Sequence, residues 1–501
     1  MEYDVCVVGA GISGLVAANK LIDEGKNVIV LEQHNAVGGI STNRVKGRFE
    51  FKYPTLDLYV NNSKLPYSIN NLLDNDIEFV GLRNILRVMS PKGDITLVND
   101  KEKTLEILES LAPNSGEPLR NFISLAEECR EALDYITKNI DNLDMDYIHE
   151  EYNNFMRVSS YSLSQVMDTL NLPIFLQEIM NSFWMVYGSS ETSVSFVDYA
   201  THFLNALDYG LTVPKEGSYG VAVSLAQRFL AKGGTIKLNS TVNNIIVEDK
   251  EVNGVRLSDG KVIYANKVIV NSTMETVYSK LIKPEDVPRD AFKNINSREV
   301  GAKLFTVNLG LNRSVEDLGI RSYLTFVYHS LDSDLEMEKM HDMGWRDVLA
   351  VCPNAIDPSA SPDGTCVLSL NTLFFKDTFG EYTDVNNYNR DVNEIAQRVI
   401  DVFQKYTKIN IANYIEEIDI ISPLDSLVLT NNIDGNVFGF RLNQLDNYLP
   451  KLLNSENEKY IKGLEICGGF DGDFYGYSSN LYAGYKAALN TLKAGDTDGK
   501  N

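Results

Sequence analysis

The chain has 501 residues, 44% of them apolar and 23% charged, which suits two or three domains around a large core. Its net charge of −23 argues against nucleic acid as a partner, because affinity for a polyanion comes largely from neutralising phosphates. The same charge disfavours electrostatic docking on anionic lipid and leaves apolar insertion, a peripheral membrane contact, open. No apolar run approaches the roughly 18 residues of a membrane span. The five cysteines are scattered without a C-x-x-C pair, and no signal-peptide pattern opens the chain, so reduced thiols and a cytoplasmic location are expected.

Tyr3 to Arg44 reads as strand, glycine turn, helix, strand and a second glycine pair. Val5, Val7 and Val8 form an apolar strand that stops at Gly9-x-Gly11-x-x-Gly14, and a helix follows from Leu15 to Glu24. A second strand, Val28 to Leu31, is terminated by Glu32. In such a βαβ unit the first glycine permits the turn, the second admits a pyrophosphate and the third lets helix pack on strand. Ile12 and Ser13 lie inside that turn. Glu32 follows Gly14 by 18 residues, where a strand-end carboxylate can accept from a ribose 2′-OH. A turn that merely needs a tight corner is the alternative, and strand, helix and acid together favour a dinucleotide.

After Glu32 come Gln33 and four further residues, then Gly38-Gly39, with Ile40 and Ser41 behind them. This glutamate and glycine-pair extension resembles the flavoprotein superfamily of amine oxidases, phytoene desaturases, carotenoid isomerases and retinol saturases, which implies FAD. Ile40 stands where many relatives have an arginine, which removes a charged contact to the pyrophosphate. Phe49-Glu50 fits the aromatic and acid that lead such chains toward the flavin, whereas Lys52 stands where a glycine is expected. A cation there would stabilise reduced flavin or a substrate carboxylate; a solvated lysine is the plain reading.

From about Leu65 to Tyr209 helical periodicity dominates, with breaks at Pro113 to Gly116. Helices are predicted over Ser162 to Leu170 and Pro173 to Tyr187. Then Val221 to Leu230 reads as a helix ended by Gly233-Gly234, followed by short strands over 235–238, 241–248, 253–257, 261–264 and 267–270, with Asp259-Gly260 as a hairpin turn. That order resembles the returning half of the FAD domain in phytoene desaturase and retinol saturase relatives, where the backbone matching Val242 contacts the adenine. Residues 303–449 mix strands with one amphipathic helix, Val392 to Tyr406.

Leu464 to Cys467 is a strand, Gly468-Gly469 a turn, and Ser478 to Leu492 a helix whose Ala483, Gly484, Ala487 and Ala488 suit close packing. The arrangement resembles the C-terminal FAD motif of the family. Gly469 occupies the usual acid's place, and Asp471 or Asp473 is the substitute. Tyr475 and Tyr477 are candidates to wall a substrate cavity, or equally to pack the FAD domain. The five histidines have no metal-site spacing.

The resemblance implies an α/β fold: a Rossmann-like FAD domain of the glutathione-reductase and amine-oxidase type, assembled from 1–60, 215–285 and 455–493. A substrate domain would combine a helical part, 61–214, with an α+β part, 286–454. It further implies carbon–carbon bond redox on an apolar small molecule, with amine or amino-acid oxidation and a non-catalytic FAD-binding protein as alternatives. There is no second glycine fingerprint for a nicotinamide domain, so the electron donor or acceptor and the oligomeric state stay open.

Overall fold

The computed structural model describes residues 2–53, 59–60, 68–73, 77–139, 142–342, 344–375, 384–432, 435–441, 460–468 and 477–496. Strand β1 (Tyr3–Val8), helix α1 (Ile12–Asp23) and strand β2 (Val28–Leu31) stand where the glycine pattern predicts them. The strands are parallel, with Val5 opposite Val28 and Val8 opposite Leu31. Around them the sheet runs Thr235–Lys237, β2, β1, Val262–Asn271, Glu251–Leu257, Val242–Glu248, and Leu464–Cys467 joins in parallel beside Val268 to Asn271.

Alternation in β1 divides the core. Val5 and Val7 pack with α1, the helix Gly217–Ala231 and the last helix Tyr477–Asp496, while Cys6 faces the other layer with Ile29, Val268 and Leu281. Both faces are covered, so every residue of β2 is buried. The strands predicted over 261–264 and 267–270 are one strand: its first part pairs with Glu251–Leu257 and its second with β1. Ala265 and Asn266 carry no turn signal, so the chain passes straight from the meander into the parallel sheet.

A second sheet runs Ile415–Ile421, Lys303–Leu311, Cys366–Phe374, Val348–Val351, Leu324–Val327, Asn84–Ser90, Gly93–Val98. The helices of 101–209 cover one face and Val385–Thr407 the other, and every residue of Lys303–Leu311 is buried. The stretch 61–214, expected to be dominated by helices, also supplies the strands Phe79–Gly81, Asn84–Ser90 and Gly93–Val98. The hairpin turns at Pro91-Lys92, and Gly93 opens the second strand at φ +136°, a conformation that side chains disfavour. The helix predicted from Pro173 to Tyr187 is two, Ile174–Met180 and Trp184–Tyr187.

Strands β3 (Thr42–Lys46) and β4 (Phe49–Tyr53) form a hairpin that carries the chain from the glycine pair to this second sheet. Arg48 holds Glu416 by two bonds of 2.8 and 2.7 Å, and Lys46 Nζ donates to the Ile418 carbonyl. Phe49 lies against Gly310, where an added Cβ would come within 2.5 Å of its ring.

Candidate cofactor site

The two glycine turns touch through their backbones. Gly38 N–H donates to the Ala10 carbonyl at 2.8 Å, and Gly11 and Gly38 form an isolated parallel bridge. A Cβ at Gly39 would lie 3.3 Å from Gly11 Cα, and Gly9, Gly38 and Gly39 have φ of +96°, +114° and +59°. Only glycines supply this combination of close approach and left-handed backbone.

Glu32 is buried between them. One carboxylate oxygen accepts Ala10 N–H at 2.8 Å and the other His34 N–H at 2.9 Å, so β2 delivers the acid beside the first turn already oriented. Gln33 follows at the strand end. Ile12, Ser13 and Gly14 form the buried first turn of α1, which has no side-chain cap and no acidic residue. An uncapped, buried helix start among glycines is an anion site in search of a phosphate.

Asn271, which the sequence reading passed over as a strand end, braces this turn. Its Oδ1 accepts Gly14 N–H at 3.3 Å, its amide donates to the Cys467 carbonyl at 3.1 Å, and a Cβ on Gly11 would fall 2.3 Å from Oδ1. It therefore ties β1, the glycine turn and the final strand together. Asn271 closes the run that begins at Lys267, and its bracing role follows from that strand ending beside Gly9.

Ser41 is buried, and its hydroxyl shares a 3.0 Å hydrogen bond with the Tyr477 hydroxyl. Tyr477 thus packs in the core of the nucleotide layer and links the last helix to the glycine pair. Ser478 follows it, part-buried, at the helix start. Gly468 turns at φ +141° after the final strand, and Gly469, Asp471, Asp473 and Tyr475 lie outside the described residues. Val242 is buried at the start of its strand, opposite Leu257. Ile40 packs against the apolar cluster of the helical layer.

Lys52 is held apart from the glycine turns. Its ammonium donates to the Lys215 carbonyl at 3.2 Å and lines a solvent-open cleft together with Glu50, Pro214, Tyr323 and Val367. Behind the glycine turn, burial pushes the Cys6 thiol up to about 12, so it stays protonated; all five cysteines are buried and none forms a disulfide.

These residues fit a bound dinucleotide: a glycine cradle that a Cβ would fill, a helix start with no cap from its own N-cap residue, and an oriented carboxylate. The model of the family described as flavin containing amine oxidoreductase matches residues 12–423. The chain belongs to that family. FAD is the cofactor of this amine oxidoreductase family member, and its fold is the α/β FAD-binding fold. Prolycopene isomerase of Daucus carota is 25% identical over 398 residues, 74% of this chain and 61% of that protein, so the chain spans about three fifths of its length. All-trans-retinol 13,14-reductase of Danio rerio is 24% identical over 477 residues, 87% of this chain and 77% of that one. Among solved structures, a redesigned double mutant of putrescine oxidase superposes with a TM-score of 0.66 at 14% identity, covering 98% of this chain and 99% of its own. That likeness speaks to fold alone. Among the described residues no helix is long and apolar enough to cross a membrane.

Proposed function

We propose that the chain is an FAD-dependent oxidoreductase that desaturates, saturates or isomerises carbon–carbon bonds of an extended apolar small molecule, polyene or lipid-like. The observation that carries the reading is the passage from Gly39 to Ile40: the loop built for the cofactor ends directly against the apolar cluster of the helical layer. Similarity to an isomerase and a reductase named for prolycopene and retinol supports the same substrate class.

Bound FAD supplies a ring that takes or gives a hydride. The chain's own residues do the placing. Gly9, Gly11 and Gly14 keep the backbone clear for the pyrophosphate, the N–H groups of Ile12 and Ser13 face it, and Glu32 receives the ribose. Gly38, Gly39 and Ser41 hold the next stretch, with Tyr477 as a positioning residue through its bond to Ser41. Gly468 at the end of the last strand and Ser478 in the first turn of the last helix close the site, and the backbone of Val242 receives the adenine. Lys52 supplies a cation on the cleft wall for an acidic group of the substrate. Lys52→Met is expected to raise KM for an acid substrate and leave an uncharged one untouched; equal effects on both would remove that role.

The deciding experiment is the visible spectrum of the purified protein, repeated anaerobically with NADPH and with dithionite. A flavin band bleached by NADPH supports saturation with a nicotinamide donor; bleaching by dithionite alone supports desaturation or isomerisation. Bleaching by amines with peroxide release in air would replace this reading with amine oxidation, the chemistry in the family's description. A protein that binds no flavin would overturn both.

A further inference from the structure

A second cluster lies in the other sheet, away from the glycine turns. His329 follows the strand Leu324–Val327, Asp347 precedes its antiparallel neighbour Val348–Val351, and Glu336 reaches in from the helix Ser333–Lys339. One ligand atom from each lies within 4.8 Å of the others. Glu336 and Asp347 are fully buried.

Half of this cluster is accounted for. Asp347 Oδ1 accepts His329 N–H and meets His329 Nδ1, both at 3.0 Å, and Glu336 Oε2 accepts the indole N–H of Trp345 at 2.6 Å. The other two carboxylate oxygens, Asp347 Oδ2 and Glu336 Oε1, are buried with no hydrogen-bond partner. Two ionised carboxylates cannot satisfy one another, and a buried pair repels unless a proton or a cation lies between them. The adjacent Arg346 guanidinium donates to the carbonyls of Met340, Leu373 and Asp342, stacks 4.0 Å from the Phe374 ring, and acts on Asp347 through its charge.

We propose that His329, Glu336 and Asp347 bind a divalent transition-metal cation of the zinc class. One imidazole nitrogen with two carboxylate oxygens is a donor set that zinc takes, whereas magnesium and calcium prefer oxygen alone. The charge of two carboxylates is cancelled by one such ion, whereas a single shared proton would cancel only half of it. Trp345 fixes the non-ligating oxygen of Glu336 and stacks 4.3 Å from the His329 ring, so it orients two of the three ligands. The His329 side chain is 15% exposed and provides the way in. The ion would clamp the helix Ser333–Lys339 to the ends of two strands, a structural role independent of the flavin.

The test uses the full chain with its flavin, grown with added zinc, desalted and measured by elemental analysis, then chelated and reloaded with zinc chloride while the melting midpoint is followed. About one zinc per chain is expected, with the midpoint falling on chelation and recovering on reloading. His329→Ala should weaken zinc binding by about a hundredfold and keep its flavin absorbance, which reports that the fold survives. Wild-type protein with neither zinc nor a zinc-dependent midpoint would overturn the proposal in favour of a shared proton. Unchanged zinc in His329→Ala would overturn it too, by placing the metal elsewhere.

Discussion

At Gly11 a single methyl group decides whether the cradle survives. A Cβ there lies 2.3 Å from Asn271 Oδ1, and relief requires Asn271 to release Gly14 N–H. Gly11→Ala is therefore expected to purify folded with flavin occupancy reduced at least about tenfold, since a buried brace is lost at a cost of about 1–3 kcal/mol. The ratio of flavin to protein absorbance measures it, and full occupancy would remove Gly11 from the site. Ser41 and Tyr477 argue in the same way. Tyr477→Phe keeps the ring and deletes one hydroxyl, so a loss of about 1 kcal/mol in thermal stability with slightly weaker flavin retention is expected. Retention lost altogether would show that Tyr477 touches the cofactor instead of positioning Ser41.

The closest helix contact in the nucleotide layer sits at Gly484. A Cβ on it would stand 2.1 Å from the Ser13 carbonyl, so the last helix lies directly on the first turn of α1. Gly484→Ala must push the two apart, and a destabilisation of about 1–3 kcal/mol is expected together with lower flavin occupancy. An unchanged melting midpoint would mean that the helix slides freely. The small residues at 483–488 made this packing legible in the sequence, as local spacing made Glu32 and both glycine pairs legible. Asn271 was not, because its partners Gly14 and Cys467 are 257 and 196 residues away. The hairpin over 84–98 was lost for a related reason: its strands are short, flanked by helices, and complete a sheet whose other members begin two hundred residues later. His329, Glu336 and Asp347 show the same limit. No spacing rule joins them, since a strand end, a helix and a neighbouring strand bring them together.

The stability of the whole molecule carries a pH signature that one side chain isolates. Glu191 lies in the loop before the helix Phe196–Tyr209, with its N–H on the Ser333 hydroxyl and Oε2 buried without a partner. Burial, and then the nearby carboxylates of Asp334, Asp332 and Glu178, push its pKa up to about 7. Unfolded, it titrates near 4.5. Between those values the unfolded chain has released the proton that the folded chain still holds. Stability from this group is therefore complete below about 4.5 and falls as pH rises through 7. At 1.4 kcal/mol per unit, discounted for a half-buried side chain, the loss is about 2 kcal/mol. Glu191→Gln cannot ionise and should escape it. Denaturant midpoints of the two proteins should coincide near pH 4.5 and diverge toward pH 8 with the variant the more stable. Comparison at each pH cancels every other titrating group, so parallel curves would mean that Glu191 is solvated in solution and that the loop 188–195 stands open there.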